Sequence, residues 1–280
     1  MSAIPTPFFL DSPSGRRFAV HHAPDGNDKP WGNVLCVPAF NEEMNRCRSM
    51  LTLQAQAFAK QGVGTLIIDL HGTGESDGDH GEARWASWLK DIAIGMAWLA
   101  DRPGACTALL GVRLGVPLAV QALSMSAPGA SPALIAWQPV TDGKSYFTQF
   151  LRIRMAANMD RTDIPKDTTS GMRKDLAAGR SIEVAGYEIH PDLAAAIEEV
   201  KLSQTPPVAA PIAWFERTAG ATGEAPPASL SAIEAWRSHG AQIDLQTFQG
   251  PAFWALHDRA TAPALIAQTT EWVKTLRKTI

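Results

Sequence analysis

The sequence predicts an α/β protein built on one mostly parallel sheet of about eight strands, with helices packed on both faces. Three observations predict it. Short runs rich in Val, Ile and Leu alternate with stretches whose apolar residues recur every three or four positions, the pattern of strands joined by crossover helices. Runs such as GTLIIDL (64–70) are apolar throughout rather than alternating, which marks strands covered on both sides. And 280 residues, 45% of them hydrophobic, suffice to bury a large core.

The elements follow in order. Residues 16–22 read as an early strand and VLCVPAF (34–40) as a buried one. Met50, Leu53, Ala57 and Phe58 then place a helix over 45–61, and GTLIIDL is the next strand. Past a Gly-rich turn, Trp85, Leu89, Ile92, Met96 and Leu99 mark a second helix, which leads to a strand running into GVRLG. Residues 132–140, 211–218 and 241–248 read as further strands, and 263–278 closes the chain as a helix. Between 141 and 207 the pattern changes. Two helical pieces, YFTQFLRIRMAANM and HPDLAAAIEEVKL, flank the polar stretch DRTDIPKDTTSGMRKDLAAGRS. A connection of roughly 65 residues far exceeds the usual 2 to 6 of such folds. It reads as a cap inserted at 141–207 into a core made of 1–140 and 208–280; the small-residue stretch TAGATGEAPPAS (218–229) reads as a mobile loop.

Composition excludes several functions. With 25 basic and 28 acidic side chains and no long Lys or Arg run, nothing favours nucleic acid as a partner. No apolar run reaches the roughly 18 to 20 residues of a membrane span, and the first residues lack a charged segment followed by an apolar one, so a cytoplasmic protein without a transmembrane segment is expected. Cys36, Cys47 and Cys106 have no metal-ligand spacing, and their odd number argues against a disulfide framework. They read as buried thiols; neither a metal nor a cofactor is expected.

The informative stretch is ALLGVRLGVPLA (108–119): an apolar strand, then Gly-x-x-x-Gly, then a helix of small residues. This is the layout of a nucleophile elbow, usually G-x-S-x-G, with Arg113 at the central position. A guanidinium stays protonated and only donates hydrogen bonds, so it cannot attack a carbonyl carbon.

DLHGTGESDG (69–78), some 40 residues before GVRLG, resembles the D-x-x-G-x-G-x-S-x-G turn of the α/β-hydrolase superfamily. More narrowly, PAFNEEMNRCR, LIAWQPVTDGKSYFTQFLRIR and FQGPAFW look like the group known as exosortase A system-associated hydrolase 2. The resemblance covers nearly the whole chain and implies an α/β-hydrolase fold, ester or thioester hydrolysis as the ancestral chemistry, and an association with exopolysaccharide and protein-sorting machinery. Fold alone does not establish chemistry.

Position by position, the triad is displaced. The elbow holds Arg113; the strand at 211–218 is followed by ERTAGATGE, where Glu216 or Glu224 could stand in for the acid; and Gly250 is followed by Pro251, Ala252, Phe253 and Trp254 where a histidine is usual, the first being His257. Asp142 is the carboxylate placed nearest Arg113, with Glu42 and Glu43 as alternatives. Cys47 lacks a histidine nearby in sequence and reads as a packing residue. Ser76 reads as part of its turn. The catalytic candidates are therefore Arg113, Asp142 and His257, and Phe40, Asn41, Leu114, Phe147 and Trp254 join Arg113 as pocket residues. At the strand ends and at a helix N-terminus, a free Arg113 would favour an anion. Three readings follow. The first is a protein without serine-triad hydrolysis that binds a small or acyl-bearing anion. The second is an esterase or thioesterase in which Asp142 and His257 activate water. The third is a scaffold of polysaccharide assembly docking through its cap. The homodimer is left open.

Overall fold

The computed structural model describes residues 4–25, 30–126, 132–159, 161, 163, 166–218 and 223–277. Eight strands form one sheet: β1 (Thr6–Leu10), β2 (Arg17–His22), β3 (Gly32–Val37), β4 (Val63–Ile68), β5 (Cys106–Val112), β6 (Ala133–Trp137), β9 (Ile212–Arg217) and β10 (Ile243–Phe248), in the order β1-β2-β4-β3-β5-β6-β9-β10. Pairing is antiparallel for β1 with β2 and β2 with β4, and parallel for every other neighbour. Strand β1 is absent from the sequence reading, because TPFFL is short and carries Pro7. Proline is tolerated there because β1 is an edge strand.

Strands β3, β4 and β6 are buried at every position and β5 from Ala108 onward, as apolar runs without alternation require. Successive side chains go to opposite cores. Leu35, Val37, Leu109 and Trp214 join one cluster with residues of α2 (Trp85–Ala100), α3 (Gly115–Ser124) and α7 (Pro227–Ser238). Cys36, Leu110, Trp137 and Phe215 join the other, with α1 (Glu42–Ala59) and α8 (Pro263–Leu276). Under the first cluster, Arg17 of β2 is fully buried; its Nε donates to Asp91 of α2 at 2.6 Å, and its Nη2 to Ser14. Asp91 also accepts from the His71 amide at 2.7 Å, which ties the Gly-rich turn to the same pair.

Between β6 and β9 the chain forms α4 (Gly143–Ala157), α5 (Thr169–Ala177), a small hairpin of β7 (Ile182–Val184) and β8 (Tyr187–Ile189), and α6 (Pro191–Glu198). Helix α5 lies inside the stretch read as a polar spacer, of which residues 160, 162, 164 and 165 lie outside the described residues. The region read as a mobile loop ends in α7, which starts at Pro227; residues 219–222 of it lie outside the described residues, as does Lys278 beyond α8. No helix among the described residues is long and apolar enough to cross a membrane.

Candidate functional site

The elbow keeps its backbone while changing its side chain. Arg113 has φ 54°, in the left-handed region that side-chain-bearing residues adopt at a cost. Its amide donates to the Trp137 carbonyl at 3.0 Å and its carbonyl accepts from Val116 at 3.1 Å, which hold the turn between β5 and α3. Both flanking glycines are forced by close approach: a Cβ on Gly111 would lie 2.7 Å from the Val116 Cα, and one on Gly115 would lie 2.4 Å from the Val37 carbonyl oxygen. The motif is therefore a packing requirement of the turn, independent of which residue sits at its tip.

At that tip the guanidinium is enclosed. Nε donates to Glu43 Oε1 at 3.1 Å and Nη1 to the Gln138 carbonyl at 3.3 Å. The rings of Tyr146 and Trp254 lie 5.5 and 5.3 Å from its central carbon, within cation–π range. Tyr146 donates its hydroxyl to the second oxygen of Glu43 at 2.9 Å. Burial works against the charge on Arg113, yet the attraction of Glu43, of Tyr146 and of Cys47 together with the hydrogen bond to Glu43 holds the guanidinium pKa above its ordinary value. Burial likewise pushes the Tyr146 phenol well up, so it stays a hydrogen-bond donor.

Helix α1 explains why Glu43 is the partner. It begins at Glu42, three residues before the start read from periodicity, so Glu42 and Glu43 form its first turn, where negative charge suits the helix dipole. Asp142, the carboxylate placed nearest Arg113 from sequence, is instead the N-cap of α4 and accepts from the Ser145 amide at 2.7 Å. A capping bond fixes its direction, and that bond lowers its pKa. His257 is exposed on an outer loop beside Arg46 and Arg259. The constellation of Asp142 and His257 is therefore not assembled around Arg113.

The remaining candidates are sorted by burial. Phe40, Tyr146, Phe150, Ile153 and Trp254 wall a chamber of about 170 Å³ whose polar border includes Glu43. Phe147 is fully buried in the core and does not border it. Leu114 is 1% exposed and, with Asn41, borders only a separate void of about 10 Å³. That void matches roughly one water molecule. Asn41, at φ 50°, points its Oδ1 at His80 Nε2, 2.6 Å away, while His80 Nδ1 lies 2.7 Å from the Glu188 carbonyl on β8. His80 thus joins the loop after β3 to the small hairpin; burial lowers its pKa. Nothing in the spacing of the sequence marks it.

Glu216 is wholly buried and accepts from Trp214, Ser229 and Gln138 at 2.8, 2.5 and 2.6 Å. Burial raises its pKa. Glu224 lies on the described stretch before α7 and enters none of these contacts. Ser76 donates to the Asp69 carbonyl and accepts from the Phe18 amide, so its hydroxyl is occupied by the turn. Cys47 is buried, and burial pushes its thiol pKa up, away from the reactive thiolate.

No family model matches the chain, and no curated protein is significantly similar to it. Solved structures are. Est1E from Butyrivibrio proteoclasticus, with ferulic acid bound, superposes with a TM-score of 0.66 at 15% identity over 96% of this chain and 98% of that one. The α/β hydrolase GrgF from Penicillium sp. sh18 gives 0.64 at 15% identity over 99% of both chains. The esterase domain of a Rhodothermus marinus protein gives 0.59 at 14% over 98% of this chain and 99% of that domain. The chain has the α/β-hydrolase fold. In that fold the tip of the elbow, at the carboxyl ends of the parallel strands, is where a nucleophile stands and substrate binds. At this tip the chain carries the pair of Arg113 and Glu43, and the Trp254 ring lies 5.3 Å from the central carbon of the guanidinium.

Proposed function

We propose that this chain is a non-hydrolytic binding protein on the α/β-hydrolase fold, holding an apolar group in the chamber above the Arg113–Glu43 pair. The enclosed guanidinium carries the reading. An attacking serine needs a base within hydrogen-bond reach, and an attacking water needs one too. Around Arg113 the polar groups are already engaged: Glu43 by Arg113 and Tyr146, and Gln138 by Arg113, Glu216 and the Arg217 amide. Glu43 also favours the reading of Arg113 as an internal partner over the reading of it as an anchor for an anion. Its carboxylate balances the guanidinium and would repel a second negative charge from the same spot. Four aromatic side chains, Phe40, Tyr146, Phe150 and Trp254, with Ile153 give the chamber an apolar wall, which suits an apolar moiety.

The likeness of PAFNEEMNRCR and FQGPAFW to the exosortase-associated group supports a cytoplasmic role beside exopolysaccharide assembly. The test is direct. The purified protein should cleave p-nitrophenyl acetate no faster than an inert control and should not react with a fluorophosphonate probe. Labelling at a defined serine would overturn the proposal. Arg113→Ser should not create strong turnover, since no histidine joins it and the residual effect of binding and an oxyanion hole is roughly 10³ to 10⁴ over water.

A further inference from the structure

Beyond the aromatic chamber, the first turns of α1 border a second, more open groove of about 430 Å³. Glu42 and Arg46 line both spaces, and the loop that gives Trp254 and Ala255 to the chamber gives His257 and Arg259 to the groove. The two are neighbours along one wall. Alone, the chamber's 170 Å³ falls short of the roughly 300 to 1,000 Å³ of a drug-sized ligand site. With the groove it comes within that range.

The two spaces differ in polarity. The chamber sets Phe40, Tyr146, Phe150 and Trp254 beside Glu42, Glu43, Arg46 and Gln149, and the attraction of Glu43 is already spent on Arg113. The groove combines Arg46, Arg48 and Arg259 with the carboxylates of Glu42 and Asp258. Arg48 is paired with Asp69. Arg46 donates to the Ala255 carbonyl, and its nearest approach to Glu42 is 3.8 Å, so a neutral oxygen is its closest partner. Arg259 and His257 are exposed, and Arg259 makes no ion pair among the described residues. Apolar rims continue outward: Ile153 at the chamber is 41% exposed and Leu256 at the groove 44%.

We propose that chamber and groove are one site for a single-chain amphiphile, its apolar chain in the chamber and an anionic, phosphate-type head on Arg46 and Arg259 with His257 beside it. The orientation follows from Glu43, which lines the chamber alone and disfavours the head inside, and from Arg259, which lines the groove alone, makes no ion pair among the described residues and offers charge-assisted hydrogen bonds to it. His257 thereby gains a role in binding the head. The inference rests on the non-hydrolytic reading of the chamber.

Calorimetric titration of the full chain with n-octyl phosphate, n-octanol and inorganic phosphate, all below micelle-forming concentration, tests it. Octyl phosphate should bind at least about tenfold more tightly than either fragment, the gain of one charge-assisted contact. Arg46→Gln with Arg259→Gln should reduce octyl phosphate to the level of octanol, and Arg259→Gln alone, at a residue that lines the groove and not the chamber, should weaken octyl phosphate and leave octanol within about twofold. Ile153→Asp, at an exposed position that folding tolerates, should weaken both chain-bearing probes. Equal binding of octanol and octyl phosphate overturns the proposal; so does inorganic phosphate binding as tightly as octyl phosphate, or a double variant with unchanged affinity. The two failures are told apart by the probe: fluorophosphonate labelling at a defined serine would sink the non-hydrolytic reading and this site with it, whereas loss of the head-group preference sinks only the two-part site.

Discussion

Arg17 and Arg113 both enter the interior, and they are treated differently. Arg17 is 0% exposed, and its Nε lies 2.6 Å from Asp91, itself 1% exposed, with Ser14 and the Arg16 carbonyl accepting its other hydrogens. Arg113 keeps 14% exposure, and its partner Glu43 keeps 18%, at 3.1 Å. The first pair is sealed between β2 and α2 and coordinates the Gly-rich turn through the His71 amide. The second stands at the strand ends beside an open chamber. A charge far from any cavity must be fully paired, because desolvation there is offset only by its partner. A charge that borders an open space can stay partly wet. The contrast separates a pair that ties the fold together from one that occupies a site.

The largest effect expected is for Arg17→Ala, which strands Asp91 in the core and should lower unfolding free energy by about 3 to 5 kcal/mol. Arg113→Ala should cost less, about 1 to 2 kcal/mol, since Glu43 keeps the Tyr146 hydroxyl and some water. Denaturant melts of the two variants side by side decide it. Equal losses would show that the elbow pair is as structural as the sheet pair.

Strand β2 offers a pH test of the same contrast. Besides Arg17 it carries His21, whose pKa is pushed down to about 4, mainly by burial, with Arg102 and His22 adding repulsion. Where Arg17 stays charged and paired, His21 stays neutral. Its ordinary value is about 6.5, so the unfolded chain takes up the proton first as pH falls. Stability present above pH 6.5 should be lost progressively toward about pH 4. Melting temperatures of the wild type and His21→Gln across that window test it; the variant's decline should be shallower, and parallel curves would exclude His21 as the cause.

The smallest effect concerns Asp142. As a capping residue rather than a partner of Arg113, its replacement by Ala should cost about 1 kcal/mol. It should leave octyl phosphate binding unchanged. A loss of binding without a loss of stability would return Asp142 to the site.

Legibility in the sequence followed the range of the signal. Helices α2 and α8 and the buried strands β3 to β6 repeat their pattern over enough residues to be read directly. Strands β7 and β8 are three residues long, too short for periodicity to register, and β1 is an edge strand that carries Pro7 and is mostly exposed. Phe147 and Phe150 share the apolar stripe of α4, yet the first enters the core and the second borders the chamber. A stripe says that side chains are covered and not what covers them. Tyr146 went unmarked for a similar reason: its hydroxyl matters only because Glu43, 103 residues earlier, comes within 2.9 Å.

By itself the sequence determined the alternation of strands and helices, the glycine-flanked elbow and the arginine at its tip, because each is written in residues within a few positions of one another. Tertiary structure alone decided which carboxylate meets that arginine. Glu42, Glu43 and Asp142 all lie just past strand ends, and composition cannot rank them. The choice fell to Glu43 because α1 starts early enough to set it in the first turn, 3.1 Å from Arg113, while Asp142 is held 2.7 Å from the Ser145 amide by its own helix. Such a choice depends on directions and distances of a few ångströms between segments 70 residues apart, and a linear sequence states neither.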